Sequence, residues 1–382
     1  MAVKRLPANP EVLRFVRLER GYELHDAAGL LGIELEELAS IEDGRELIPV
    51  SLLDRMAQVY ETTESFLLLP KAPPTMRRIP EDYRTVSGLA PRLLPDTRVC
   101  VREAWDFLEE ATALFEVPSP STVLARVPGA TLDDDPASVA DMERDRIGVS
   151  FEAQVAWHQR EPFEGWRTAF DRLGIIVLLK RMVWEDCRGF LLWAPDVLPG
   201  LVVNSRDSNN ARVFTLFHEY AHLLLREPST CVQTEYDESR KASEEWCNAF
   251  AAAFLMPLER LDELVTRKLE RRPLEDWTLG DYRGLSGNFR VSTMAMARRI
   301  RDLYGSTFYE ENFALLRGFD YTKDKDSDGG PSQATIRLAE IGKPITNRLF
   351  EALRERSISN ADAADLLRLS SSQMNLMERL AI

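Results

Sequence analysis

The string RVFTLFHEYAHLLLRE places His218, Glu219 and His222 in an HExxH spacing. On a helix, residues four apart project from one face a turn apart, so both imidazoles can reach a single tetrahedral Zn2+. Glu219, beside the first histidine, can meet a water at such a metal without ligating it, which is the place of a general base. Phe214, Phe217, Ala221, Leu224 and Leu225 give the strip the apolar flank of a helix packed into a core. The chain has only four histidines, so composition alone does not account for two of them at this spacing. The bland alternative is a buried helix with two incidental imidazoles.

Catalytic zinc centres use three protein ligands and leave a fourth position for water or substrate. No third histidine follows closely, so a carboxylate is the natural candidate. The segment KASEEWCNAFAAAFLMP offers Glu244 and Glu245 on a second helix, whose small residues Ala249, Ala251, Ala252 and Ala253 allow close packing against the first. Glu244 and Asn248 share a face, which would let Asn248 orient an imidazole by accepting its other N–H. Glu245 lies about 100° away on the helix and has no such partner, so Glu244 is the preferred ligand. Both acids also suit a helix start for dipole reasons alone. The expected chemistry is metal-assisted peptide hydrolysis, with Glu219 taking a proton from the attacking water and passing it to the leaving amine. Tyr236, Arg212 and His158 are left open as donors to the developing oxyanion. Tyr220 points about 200° from the ligand face and is not proposed.

The elements that must position these residues read as an α+β arrangement. From residue 174, GIIVLLK, GFLLWAP and GLVVNSR are short β-rich runs separated by turn residues. Two helices follow, over roughly 210–226 and 241–256. Residues 9–69 form four short helices punctuated by Gly21, Gly32 and Gly44. Residues 70–150 are linker and helical connector: the proline-dense KAPPTMRRIP, a helix over 97–117, a loop over 118–137 and a helix over 138–147. Residues 151–320 hold the metal site. After the linker 323–332, residues 333–382 are helical. No low-complexity tract and no long repeat is visible.

Composition narrows the partners. The formal net charge is −14, with a pI near 5.0, which disfavours non-specific binding of phosphate backbones. Cys100, Cys187, Cys231 and Cys247 are scattered, without a CxxC pair. That argues against a disulfide scaffold or a cysteine zinc knuckle and suits a reducing compartment. The start MAVKRLPANP lacks an apolar core, and no run approaches about 18 apolar residues. The expectation is a cytoplasmic protein with no membrane partner.

Taken together, IPEDYRT, PFEGWRTAFDRLGIIV, GLVVN, ARVFTLFHEYAHLLL, EEWCNAFAAAFLMP and FRVSTMAMARRI resemble the blocks of the ImmA/IrrE metallopeptidases fused to an N-terminal Xre-type helix-turn-helix. The likeness extends over nearly the whole chain. It implies a zincin-like, gluzincin-type domain with a small sheet beside the HExxH helix. It also implies His218, His222 and Glu244 as zinc ligands and Glu219 as general base. Cys247 stands where the family commonly has alanine. The resemblance further implies a protein substrate, a regulatory partner such as a transcriptional repressor, cut in a stress or mobile-element response. A homodimer is one assembly it allows.

ELHDAAGLLGIELEELASIEDG fits the Xre pattern in its scaffold: Ala28, Gly32, Ile33, Ile41, Glu42 and Gly44 fall where the fold wants them. The reading positions, however, carry Glu34, Leu35, Glu36 and Glu37, where phosphate and base donors are usual. Residues 1–60 hold seven basic and eleven acidic residues. DNA is therefore the disfavoured partner of this module. Protein docking or dimerisation through Glu34, Glu36 and Glu37 is favoured. Two alternatives are a DNA-binding transcriptional regulator that uses the zinc domain as sensor, and an antitoxin or immunity partner whose acidic face meets a basic protein. The C-terminal NADAADLLRLSSSQMNLMERL has helix-turn-helix character too, with Ser370, Ser371, Ser372 and Gln373 as candidate phosphate contacts. A helical pair capping the protease is the favoured reading there.

Overall fold

The computed structural model describes residues 4–20, 22–60, 62–72, 94–115, 119–158, 161–183, 186–227, 238–320 and 330–381. IPEDYRT, Cys231, Tyr236 and most of the two linkers lie outside them.

The chain divides into two compact units, Met1–Tyr83 with Pro91–Arg102, and Arg84–Ala90 with Glu103–Ile382. The first is small and helical. β1 (Arg5–Leu6) pairs antiparallel with β2 (Ile48–Pro49) beside α1 (Pro10–Glu19), α2 (Leu24–Leu31), α3 (Leu35–Glu42), α4 (Val50–Val59) and α5 (Glu64–Leu67). Leu13, Ala27, Leu31, Leu38, Ile41 and Met56 form its core. Arg17 and Glu42 make a buried two-pronged ion pair at 2.7 and 2.9 Å. α2 ends where Gly32 takes the left-handed conformation (φ 64°), which glycine adopts without a Cβ penalty. The Ile33 N–H then donates to the Ala28 carbonyl at 3.1 Å, closing the helix end.

The described residues of the second unit start within α6 (Pro95–Leu114), at Glu103. The unit continues with α7 (Pro120–Arg126), α8 (Pro136–Ile147), α9 (Phe151–Ala156) and α10 (Glu161–Arg172). The 118–137 stretch, expected as a loop, thus carries a helix. Ser119 caps it by accepting from the Thr122 N–H, and Pro120 occupies the first turn, where the missing N–H costs nothing. The proline and serine that suggested a loop are helix-start signals.

Three strands follow: β3 (Ile176–Lys180), β4 (Gly189–Ala194) and β5 (Val197–Asn204). Their order is β3-β5-β4, with β3 parallel and β4 antiparallel to β5. All eight residues of β5 are buried, as its central place between β3 and β4 requires. α11 (Asn209–Leu225) packs beside this sheet, and α12 (Glu238–Leu255) packs on α11 and α8. Then come α13 (Leu258–Leu269), α14 (Leu279–Phe289), α15 (Thr293–Tyr304), α16 (Phe308–Glu311) and α17 (Phe313–Asp320). The last three helices are α18 (Gln333–Arg354), α19 (Asn360–Leu367) and α20 (Ser371–Ala381). The architecture is mostly helical with a small sheet, in line with the α+β expectation.

α18 is fastened to the sheet unit by buried charge. The Arg167 guanidinium donates to the Ala339 and Glu340 carbonyls at 3.1 and 3.2 Å. Those carbonyls are freed because α18 kinks at Gly342, two residues before Pro344. Lys180, at the end of β3, pairs with Glu340 and, at 3.0 Å, with Glu103. No helix among the described residues is long and apolar enough to cross a membrane.

Candidate metal centre

α11 is the element on which the centre depends. Ser208 caps its start by accepting from the Ala211 N–H, and Arg226 ends it in the left-handed region (φ 57°). The helix is buried on every side. Phe217 stacks on Phe254 of α12 at 4.1 Å between ring centroids and meets Trp166 of α10 edge-on at 4.8 Å. Such pairs each add about 0.5–1.5 kcal/mol beyond area burial, and here they fix the rotation of α11 about its axis. With that rotation set, His218 and His222 project together toward α12.

Glu244 meets them from α12. Its Oε2 lies 3.2 Å from His218 Nε2 and its Oε1 3.4 Å from His222 Nε2. The two Nε2 atoms are 3.2 Å apart. Both imidazoles are buried, while the Glu244 side chain keeps 20% exposure. Among the described residues these three form the one group of histidine, cysteine and acidic side chains able to share a metal ion. Their spacing tests which ion fits. Ligands about 2.0–2.1 Å from a tetrahedral zinc stand about 3.3–3.4 Å from one another. The three separations therefore trace one face of such a tetrahedron, and the fourth vertex is left for solvent or substrate.

The electrostatics agree. Burial pulls the His218 pKa down, but the adjacent Glu244 carboxylate outweighs it and holds the pKa above the ordinary histidine value. Burial likewise pushes Glu244 up, and the two imidazoles overcome it, keeping its carboxyl well below the usual range. A carboxylate that stays ionised beside two imidazoles is a donor set waiting for a cation. Cys247 and Cys187 are buried, and burial first, with the nearby Glu244 and Glu219 charges adding, pushes both thiols well up. They remain inert thiols rather than ligands or nucleophiles.

Glu219 is wholly buried and turned toward β4. The space it occupies depends on Gly189. A Cβ there would lie 2.5 Å from Thr215 Cγ2, 2.9 Å from the Val202 carbonyl oxygen and 3.2 Å from Glu219 Oε1. Gly189→Ala should therefore push β4 off α11 and destabilise the fold by about 1–3 kcal/mol, read as a lower urea midpoint. An unchanged midpoint would show that this close approach is unimportant.

Two positioning residues escaped the sequence reading. Asn204 ends β5 fully buried; its amide donates to the Cys187 and Met182 carbonyls at 2.7 and 3.3 Å and accepts from the Arg206 N–H at 3.0 Å. That ties down the approach to Gly189. Its sequence signal is a lone amide at the end of an apolar strand. The other is Glu143 of α8, buried, with Oε2 accepting from the Tyr220 hydroxyl at 2.5 Å and Oε1 from Arg146 Nε at 2.9 Å. Burial, then the Glu143 charge, raises the Tyr220 pKa well above its ordinary value, so the phenol stays a donor. Tyr220 thus faces away from the ligands, as expected, and anchors the helix instead. Tyr220→Phe leaves a buried carboxylate short of one donor and should cost about 1.5–3 kcal/mol in thermal or urea unfolding. A loss below about 0.5 kcal/mol would mean that the bond contributes nothing.

The remaining sequence candidates are placed as follows. The Asn248 amide donates to the Glu244 carbonyl at 2.7 Å, one turn back on its own helix, while the buried Nδ1 of His222 has no hydrogen-bond partner among the described residues. Glu245 is exposed. Arg212 serves the start of α11, donating to Asn209 Oδ1 and the Ser205 carbonyl. His158 is exposed, and Tyr236 lies outside the described residues. Arg298 of α15, which the sequence reading did not single out, acts electrostatically on His218 and opposes its protonation. Glu34 and Glu36 are exposed and Glu37 is half-buried, around the start of α3.

Residues 170–301 match the family model of the IrrE N-terminal-like domain, Peptidase_M78. That span runs from the end of α10 into α15 and includes His218, Glu219, His222 and Glu244. The middle of the chain is thus a domain of metallopeptidase type, consistent with the ImmA/IrrE resemblance over this part. No curated protein and no solved structure matches the chain.

Proposed function

We propose that the chain is a zinc-dependent endopeptidase of gluzincin type that cuts a specific regulatory protein, a transcriptional repressor being the leading candidate, in a stress or mobile-element response. The observation that carries the reading is the triangle of His218 Nε2, His222 Nε2 and a Glu244 carboxylate oxygen, with edges of 3.2–3.4 Å. Zinc held by these three residues supplies Lewis acidity, which acidifies water and polarises a carbonyl. Glu219, adjacent to the first ligand and sealed from solvent, receives the proton as water attacks the peptide carbonyl. It then delivers that proton to the departing amine. Tyr220, Glu143 and Gly189 keep Glu219 in place through the cycle. The N-terminal unit, with acidic residues around the start of α3, fits docking of a protein rather than a phosphate backbone.

The test is metal analysis joined to a proteome-wide search for cleaved termini, wild type against Glu219→Gln. Zinc bound by both forms, with cleavage products only in the wild type, is the expected result. Products formed equally by both would remove Glu219 from the chemistry. Absence of zinc from both would remove the metal centre.

A further inference from the structure

The two ends of the chain carry the same short structural unit. DAAGLL at 26–31 recurs as DAADLL at 362–367, and Glu42 recurs as Glu378 in the same register. The sequence reading found no long repeat; this one spans fewer than twenty residues and is recognisable because the backbone repeats with it. α2 ends at Gly32 (φ 64°, ψ 38°) and α19 ends at Arg368 (φ 51°, ψ 41°). The Ile33 N–H donates to Ala28 O at 3.1 Å, and the Leu369 N–H to Ala364 O at 3.2 Å. Each turn is followed at once by a second helix, α3 or α20. Each second helix buries equivalent residues, Leu38 and Ile41 in one, Met374 and Met377 in the other.

The outward faces differ. Where α3 presents Leu35, Glu36 and Ala39, followed by Asp43, α20 presents Ser371, Ser372, Asn375 and Arg379, all exposed. Positions 372, 375 and 379 fall on one stripe at 100° per residue. Hydroxyl, amide and guanidinium groups are the ones that hydrogen-bond base edges and phosphates. Residues 331–382 hold seven basic against six acidic residues, in a chain of net charge −14. Arg354 and Arg356, just ahead of α19, are exposed as well. Gln373 does not share in this face, because its Oε1 accepts from the Ala334 N–H at 3.1 Å.

We propose that α19 and α20 form a helix-turn-helix that reads duplex DNA, α20 entering the major groove through Ser371, Ser372, Asn375 and Arg379. The N-terminal copy of the same unit does not bind DNA. This inference is independent of the peptidase reading, and the variant Glu219→Gln should bind DNA like the wild type.

The experiment uses the full-length protein and a random-sequence duplex pool. Repeated selection and sequencing should enrich one motif, and anisotropy with that duplex gives affinity across about 50–200 mM salt. With Arg354, Arg356 and Arg379 as the cations, log K should fall against log salt with a slope of about −2 to −3. Writing the N-terminal residues into α20, as S372E/N375A/R379D, should weaken binding at least about 100-fold. Glu36→Gln in α3 should change it less than about twofold. Circular dichroism and zinc content check the fold. Should the triple variant unfold, the exposed single exchange Arg379→Gln takes its place, with an expected loss of about tenfold. Failure of any motif to enrich, or a folded α20 variant that binds the selected duplex as tightly as wild type, overturns the proposal.

Discussion

Exchange of Glu219 for Gln is expected to leave one zinc per chain in place and to slow peptide cleavage by about 10²–10⁴-fold, the range for loss of a positioned general base. Glutamine keeps the volume and the two-pronged end of glutamate, so the close approach to Gly189 survives. It cannot take up the proton. The side chain is fully buried, so bulk solvent is a poor substitute acceptor. The ligands His218, His222 and Glu244 are untouched, and metal stoichiometry by atomic spectroscopy should match the wild type. A folded, zinc-loaded variant that retains more than a tenth of the wild-type rate would take the proton-transfer role away from Glu219.

How much of this was legible beforehand follows from which interactions are local. HExxH lies within one turn of one helix, so its geometry is written in the spacing, and the chain does place His218 and His222 side by side. The partner acid comes from a second helix. The alanines at 249 and 251–253 signalled that this helix packs against α11, and the preference for Glu244 over Glu245 rested on Asn248 sharing the Glu244 face. Asn248 illustrates the limit. Its spacing suggested an acceptor for an imidazole N–H, but the bond present is a local donation to the Glu244 carbonyl one turn back, and the buried Nδ1 of His222 has no partner among the described residues. Tyr220–Glu143 is separated by 77 residues and nothing in either segment announces it. Gly189 is likewise silent in the sequence, because its role is the absence of a Cβ at a contact between a strand and a distant helix. The α19–α20 repeat was missed for another reason: only six of its positions are identical, and the backbone turn that makes them equivalent uses glycine at one end and arginine at the other.

Replacement of Glu244 by Ala should reduce zinc affinity by more than about 100-fold, beyond what loss of a supporting outer contact costs. Two imidazoles at 3.2 Å would remain, without the charge that balances the ion. Glu245→Ala, at an exposed neighbour, should leave affinity within about twofold, so the pair of variants decides between the two acids. Acidity supplies a second, independent signature. Ligands bind the metal only when deprotonated, so protons and zinc compete. In the wild type the His218 pKa is raised because the Glu244 carboxylate outweighs burial, and zinc affinity should decline as pH falls through that raised value. With Glu244 removed, only the Glu219 charge still opposes burial, and the His218 pKa drops below its wild-type value. The onset of proton competition should then move to lower pH, even though the affinity at neutral pH is far weaker. A variant that merely disturbed the fold would lose affinity without that downward displacement. Wild-type affinity in Glu244→Ala would exclude this carboxylate as a ligand.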